Sequence, residues 1–359
     1  MPDESTAPLR YVSEEWKGEI VGVPAMFMAL GVFLRYPGKY MLEYFLEPAL
    51  SRSILMTLTV FLTLFAVYVA YRFGAQFRAD RRVLWDYSVN HLRIGTWVAG
   101  VNIMAVLLFP ISPIIAKITH AFGLLLWGSY ITWIVRMAVR GELRGGNLSG
   151  TVFLTTVATQ SVVVVFMTIF GEHVSEFLPW LIMLNVLGII FYWISFALMW
   201  VAGGFVEPLL NWVPQNNITH GALSITMLAA QMIEESMPGS LPYFHLVIQV
   251  AWVITSLFFL SSLFYELYLI LSRKKQLLGF QLGNYARNFT YSMFFACSFY
   301  GYVYSHQSVM KDILNPSTLL AMGFVALFVN LWELTHQSSI VLFRRTRMNQ
   351  LFRFDSENE

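Results

Sequence analysis

Ten stretches of this chain are apolar over about the 20 residues that a helix needs to cross a hydrocarbon layer. They fall at residues 19–36, 53–73, 94–112, 114–139, 150–170, 178–205, 220–237, 243–272, 289–306 and 317–343. Lipid offers no water to backbone amides and carbonyls, so segments of this kind must close their hydrogen bonds internally, as helices do. Only 12% of the chain is charged, about half of what a soluble domain carries. The sequence therefore predicts an all-α integral membrane protein with ten transmembrane helices.

The links between runs predict how they pair. Pro110 and Pro113 leave so short a connection that runs three and four form an antiparallel hairpin, and the brief segments at 237–242 and 306–316 extend the pattern to five hairpins. Pro24 interrupts the first run, and Arg35 closes it by reaching toward the interface. The opening residues, MPDESTAPLRYVSEEWKGE, are acidic and polar rather than basic, unlike a secretion signal, so the first run is expected to be retained.

Lys and Arg then set the orientation. Of 23 such residues, all but Arg35, Lys39, Arg52, Lys117 and Lys311 lie on the side holding both termini. Arg287 counts among the basic anchors on that side. The expected layout is a cytoplasmic tail over 1–18, a transmembrane domain over 19–343 and a second cytoplasmic tail over 344–359, in the plasma or inner membrane. Three glycosylation-type triplets, at Asn147, Asn217 and Asn288, fall on the cytoplasmic side and are expected to carry no sugar.

The odd-numbered runs hold the small and weakly polar residues. Run five carries Thr151, Thr155, Thr156, Thr159, Gln160 and Ser161; run seven carries Gly221, Ser224, Thr226 and Gln231. The even runs are bulkier. This alternation predicts an inner ring of odd helices around a pore and an outer ring of even helices against lipid, although Ser, Thr and Gly also serve plain helix packing. Run nine, FTYSMFFACSFYGYVY, mixes rings with Ser292, Cys297, Ser298 and Gly301, and its Met293–Cys297–Gly301 line recurs every helical turn. No Lys or Arg falls within the pore-facing part of an odd run.

Ionisable side chains inside spans are functional candidates by default. Glu333 and His336 stand one turn apart in run ten and could exchange a proton. Glu266 lies in the inner half of run eight, whereas Glu234 and Glu235 close run seven at the outer surface and are expected to be solvated. The remaining chemistry is sparse. Cys297 is the one cysteine, so no internal disulfide or multi-cysteine metal site exists. The net charge of +2 does not suggest nucleic acid. No phosphate loop, hydrolytic triad or metal-ligand spacing is present, so neither catalysis nor a cofactor is indicated. His120, His245 and His306 are scattered, without the matched pairing that a haem site needs.

The layout resembles the tellurite-resistance/C4-dicarboxylate transporter family (TehA-like), which includes the plant guard-cell slow anion channels. PAMFMALGVF at 24–33 is similar to that family's first helix; FLTTVATQS at 153–161 and HGALSITMLAA at 220–230 resemble its fifth and seventh. FTYSMFF at 289–295 lies where the family has an aromatic signature whose Phe plugs the pore; here Met293 is the direct match, with Phe294 next. Thr155 and Thr226 stand where family helices carry kinking prolines. The resemblance implies a homotrimer with one pore per protomer, passing small inorganic or organic anions such as chloride, nitrate, sulfite or dicarboxylates. Met293 and Phe294 would form the constriction, and Phe27, Thr155, Thr159, Ser224, Thr226, Ser292, Cys297 and Gly301 the wall. Two other readings stay open: a proton-coupled C4-dicarboxylate transporter using Glu333 and His336, and a membrane redox subunit that binds haem or quinone.

Overall fold

The computed structural model describes residues 23–79, 88–142, 149–201, 213–237, 244–272, 283–304 and 309–356, and every regular element among them is a helix. Asn147, His306 and the N-terminal tail lie outside the described residues. The first helix, α1 (Pro24–Phe33), has Pro at its first turn, where the missing N–H costs nothing. It runs into a π-helical turn, Leu34–Gly38, around Pro37, and then into α2 (Lys39–Phe45). A proline inside a helix removes one ladder bond, and a widened turn absorbs the defect.

Three helices follow: α3 (Pro48–Ala79), α4 (Ser88–Leu108) and α5 (Pro113–Val139). The tight turn before α5 is set by its cap, since Ser112 Oγ accepts from Ile115 N at 3.4 Å and Pro113 opens the helix. A 3₁₀ turn, Gly150–Phe153, leads into α6 (Leu154–Ile169); α7 (Val174–Phe196) ends in a π-turn, Ala197–Val201. Another 3₁₀ turn, Pro214–Asn217, opens α8 (Ile218–Ser236). The remainder comprises α9 (Phe244–Leu271), α10 (Asn284–Tyr304), the short α11 (Val309–Ile313) and α12 (Pro316–Ser356). Residues 344–356, read from sequence as a tail, continue α12 as helix.

Among the described residues, six segments are long and apolar enough to cross a membrane: Pro48–Ala75, Pro113–Val139, Gly150–Ile169, Val174–Trp200, His245–Leu269 and Pro316–His336. The chain is a multi-pass integral membrane protein. The helices fall into two classes by burial. In Gly150–Ile169 94% of the apolar window is buried, against 17% in Pro48–Ala75 and 28% in His245–Leu269. Helices of the first class touch one another in a closed cycle: α1 packs on α4, α4 on α6, α6 on α8, α8 on α10, and α10 back on α1. The others lie outside it, α5 against α4 and α6, α7 against α6 and α8, α9 against α8 and α10, and α12 against α10. Their outer faces expose large apolar groups such as Phe61, Leu125, Trp193, Phe264 and Phe328. In water such a surface would drive aggregation; in lipid it is the matched solvent.

Candidate transport path and ionic cluster

Inside the ring of five helices a cavity of about 20 Å³ remains, bordered by Met28 and Val32 of α1, Ile225 of α8, and Phe289 and Met293 of α10. That volume holds about one water. No charged side chain borders it among the described residues; Ser161 and Tyr36 bring the polar atoms. Met293 and Phe289 are four residues apart on one helix face, and both are almost wholly buried. Phe289 extends the Met293–Cys297–Gly301 line one turn inward, so the stripe visible in sequence pointed to it.

The other expected wall residues lie elsewhere. Phe294 stacks on Phe259 of α9 with ring centroids 4.7 Å apart, and Phe27 meets Phe65 of α3 edge-on at 5.5 Å. Both rings face outer helices. Thr155 Oγ1 bonds Val152 O and approaches Ser195 of α7; Thr159 Oγ1 accepts the Trp127 indole N–H of α5 at 3.1 Å. Thr226 bonds Ala222 O and borders a peripheral cleft between α7, α8 and α9. Ser224 bonds His220 O, and Cys297 Sγ lies 3.3 Å from Phe294 O. Ser292 is fully buried, with no hydrogen-bond partner for its hydroxyl among the described residues. Gly301 sits where α8, α10 and α11 converge, and a Cβ there would strike Met310 and come within 2.8 Å of Gln231 Nε2. These hydroxyls and small groups tie inner helices to their neighbours, because a helical Ser or Thr satisfies itself on the carbonyl a turn back while its methyl or Cβ packs.

A polar relay leads from the cavity to the perimeter. Ser161 Oγ donates to Ala158 O at 2.7 Å and accepts Asn102 Nδ2 at 3.0 Å; Asn102 Oδ1 faces His120 Nδ1 of α5 at 3.1 Å. Since the hydroxyl proton is committed to a carbonyl, Ser161 offers the cavity a weak dipole rather than a free donor.

The strongest electrostatics lie behind α10, away from the axis. Arg287 is buried, two residues and therefore some 200° around the helix from Phe289. Its Nη2 lies 2.7 Å from Glu333 Oε1 of α12, and its Nη1 lies 3.4 Å from Glu266 Oε2 of α9. Asn217 Nδ2 donates to Glu266 Oε1 at 2.6 Å, while Ser262 bonds Asn217 Oδ1. Thr290 Oγ1 reaches Asn217 O at 3.1 Å. Arg287 is thus no interfacial anchor, as the charge count had it, but the centre of an ion-pair network joining three helices. The correction has a plain cause: α10 begins at Asn284, a turn before the apolar run, and carries Arg287 into the packed region. Glu333 pairs with this guanidinium, while His336 Nδ1 lies 3.0 Å from Trp332 O and its ring stacks on Trp332. Asn217 and Asn288 are fully buried.

At the other end of the ring, Glu234 and Glu235 are engaged rather than simply solvated. Glu234 Oε1 lies 3.1 Å from His245 Nδ1, and Glu235 accepts the Tyr300 hydroxyl. Among the described residues no group of His, Cys, Asp and Glu is placed to hold a metal ion. No protein-family model matches the chain, and no curated protein is similar enough to match it.

Proposed function

We propose that the chain is an anion channel, or a channel-like anion exporter, of the TehA-like type. Ten spans in five hairpins, with both termini cytoplasmic, place the odd helices around a passage in each protomer of a homotrimer. The observation that carries this reading is the small, mostly apolar cavity bordered by all five helices of the ring, with Met293, Phe289 and Met28 among its lining. An apolar neck this narrow breaks any continuous column of water and so blocks ions, and it conducts once its side chains swing aside. Met293 suits such a gate because its thioether chain is flexible and adapts to its surroundings. With no charge on the axis to hold an anion, passage is quick and selectivity follows dehydration cost, helped by the basic cytoplasmic rim. Chloride, nitrate, sulfite and small dicarboxylates are the candidate anions, on the family resemblance.

Ion-replacement current recording on the reconstituted protein tests this. Phe289→Ala with Met293→Ala is expected to raise anion conductance several-fold, while Phe294→Ala, whose ring stacks on Phe259 away from the cavity, leaves it unchanged. Absence of anion current from both the wild type and the double variant would overturn the reading. The proton-coupled carrier is the second reading, favoured by one observation, the buried Glu333 in its ion-pair network. It requires Glu333→Gln to abolish pH-driven uptake.

A further inference from the structure

Among the described residues the network behind α10 holds one permanent cation for two carboxylates. Two carboxylates face one guanidinium, with side-chain exposures of 8% for Glu266, 1% for Glu333 and 7% for Arg287. Removing an ion from water costs several kcal/mol in real proteins, and only close counter-charges and hydrogen bonds offset it. Glu266 is well provided for: Asn217 donates to one oxygen and Arg287 to the other. Glu333 has Arg287 on Oε1, but its Oε2 is sealed from solvent without a well-formed hydrogen bond, the Asn284 side chain being its polar neighbour. One turn away along the same α10–α12 seam, Asn288 donates to Val329 O and its own Oδ1 is buried and unpaired. Among the described residues these two buried oxygens are unpaired acceptors on the seam, while Arg287 Nε is a buried donor with no partner. A site with two carboxylates for one permanent cation, and with buried acceptors left over at Glu333 and Asn288, is complementary to a further cation.

The groups facing it can be named element by element. From α9 come Glu266 and Ser262; from the turn before α8, Asn217; from α8, His220, whose ring packs on Tyr291 and Phe259. From α10 come Arg287, Tyr285 and Tyr291, and from α12 come Glu333 and His336. Arg273, Lys274 and Lys275 lie outside the described residues. We propose that the Glu266–Arg287–Glu333 cluster is a binding site for one monovalent cation, a proton or Na⁺, taken up at Glu333 Oε2. With the proton, an O–H bond forms on the carboxylate and Glu333 becomes a neutral acid; with Na⁺, the carboxylate stays ionised and the metal supplies the charge. Either way the remaining Glu266–Arg287 pair is one to one. Because Phe289 sits on the opposite face of the same helix turn, occupancy of the cluster bears on the neck of the passage.

The proposal rests on the cluster alone and not on anion passage, so its test reads the carboxyl groups directly. Infrared spectra of the purified full-length protein in lipid nanodiscs are compared for wild type and Glu333→Gln, first in sodium-free buffer at neutral pH and then with NaCl added. A proton site shows a protonated-carboxyl stretch, slow to exchange in D₂O, that is lost in the variant. A sodium site lacks that band, and added Na⁺ shifts carboxylate stretches in the wild type but not in the variant. Wild-type spectra with neither signal overturn the proposal, as does either signal persisting in folded Glu333→Gln. Should that variant not fold, Glu333→Asp, which moves the band instead of removing it, makes the assignment; a band that does not move overturns it. Anion currents recorded on the same preparations keep the two readings apart. Current without either infrared signal refutes the cation site alone, and the signal without current refutes the passage alone.

Discussion

Gln160 and Asn185 show how single residues hold the inner helices to the outer ones. Gln160 Nε2 donates to Asn185 O at 3.0 Å, and Asn185 Nδ2 donates back to Gln160 Oε1 at 3.1 Å and lies 3.4 Å from Thr226 O. Gly188 makes room for the amide, since any Cβ there would run into the Gln160 side chain. Asn185→Leu leaves the buried Gln160 carbonyl oxygen unpaired and is expected to cost about 1–3 kcal/mol. Thermal unfolding of the purified protein checks it: the Gln160→Leu, Asn185→Leu double variant should lose less than the two single losses added together, as residues acting in one hydrogen-bond pair do. Such roles were half legible. The hydroxyls and amides of run five announced a special helix, but Thr155 and Thr159 look the same in sequence whether they face water or another helix. Each bonds a carbonyl of its own helix in either case, so only the neighbouring surface decides.

At the scale of elements, α10 is the helix that joins the two features of interest. One face brings Phe289 and Met293 to the axis, and the opposite face brings Arg287 to Glu266 of α9 and Glu333 of α12. Removing the guanidinium leaves two buried carboxylates facing each other, so Arg287→Met is expected to destabilise the protein by about 3–5 kcal/mol. Glu333→Gln keeps a hydrogen-bond acceptor for Arg287 and balances the charge, so its cost is far smaller. Denaturation midpoints of the two variants, compared in one detergent, give the order; equal losses would mean that Arg287 is not the clamp. The sequence held the signal for this network in its carboxylates. Glu266 and Glu333 sit within apolar runs, and a buried acid calls for a cation nearby. Counting Arg287 as a positive-inside residue concealed that partner, because helix ends are the least certain part of a sequence reading and here one turn moved the residue from interface to interior.

The alternation of small-residue and bulky runs is legible at the scale of the whole molecule because it has one physical cause. A helix touching others on all sides needs small side chains for close approach, whereas a helix facing lipid can carry large ones. The same cause makes the inner helices other than α6 poor candidates by length and hydropathy: α1 spans only ten residues before its π-turn, and the apolar part of α4 covers Leu92–Leu108. Ten crossings therefore need a test independent of hydropathy, and the single cysteine makes one straightforward. Cys297 is fully buried, so the native protein should give no background with a membrane-impermeant maleimide. Lys39 and Arg140 are exposed and lie on opposite faces of the ten-span layout. In intact cells Lys39→Cys and Lys311→Cys should label at once, and Arg140→Cys only after permeabilisation. Labelling of Lys39→Cys and Arg140→Cys from the same side would require an even number of crossings between them in place of the three made by α3, α4 and α5, and would overturn the ten-span layout.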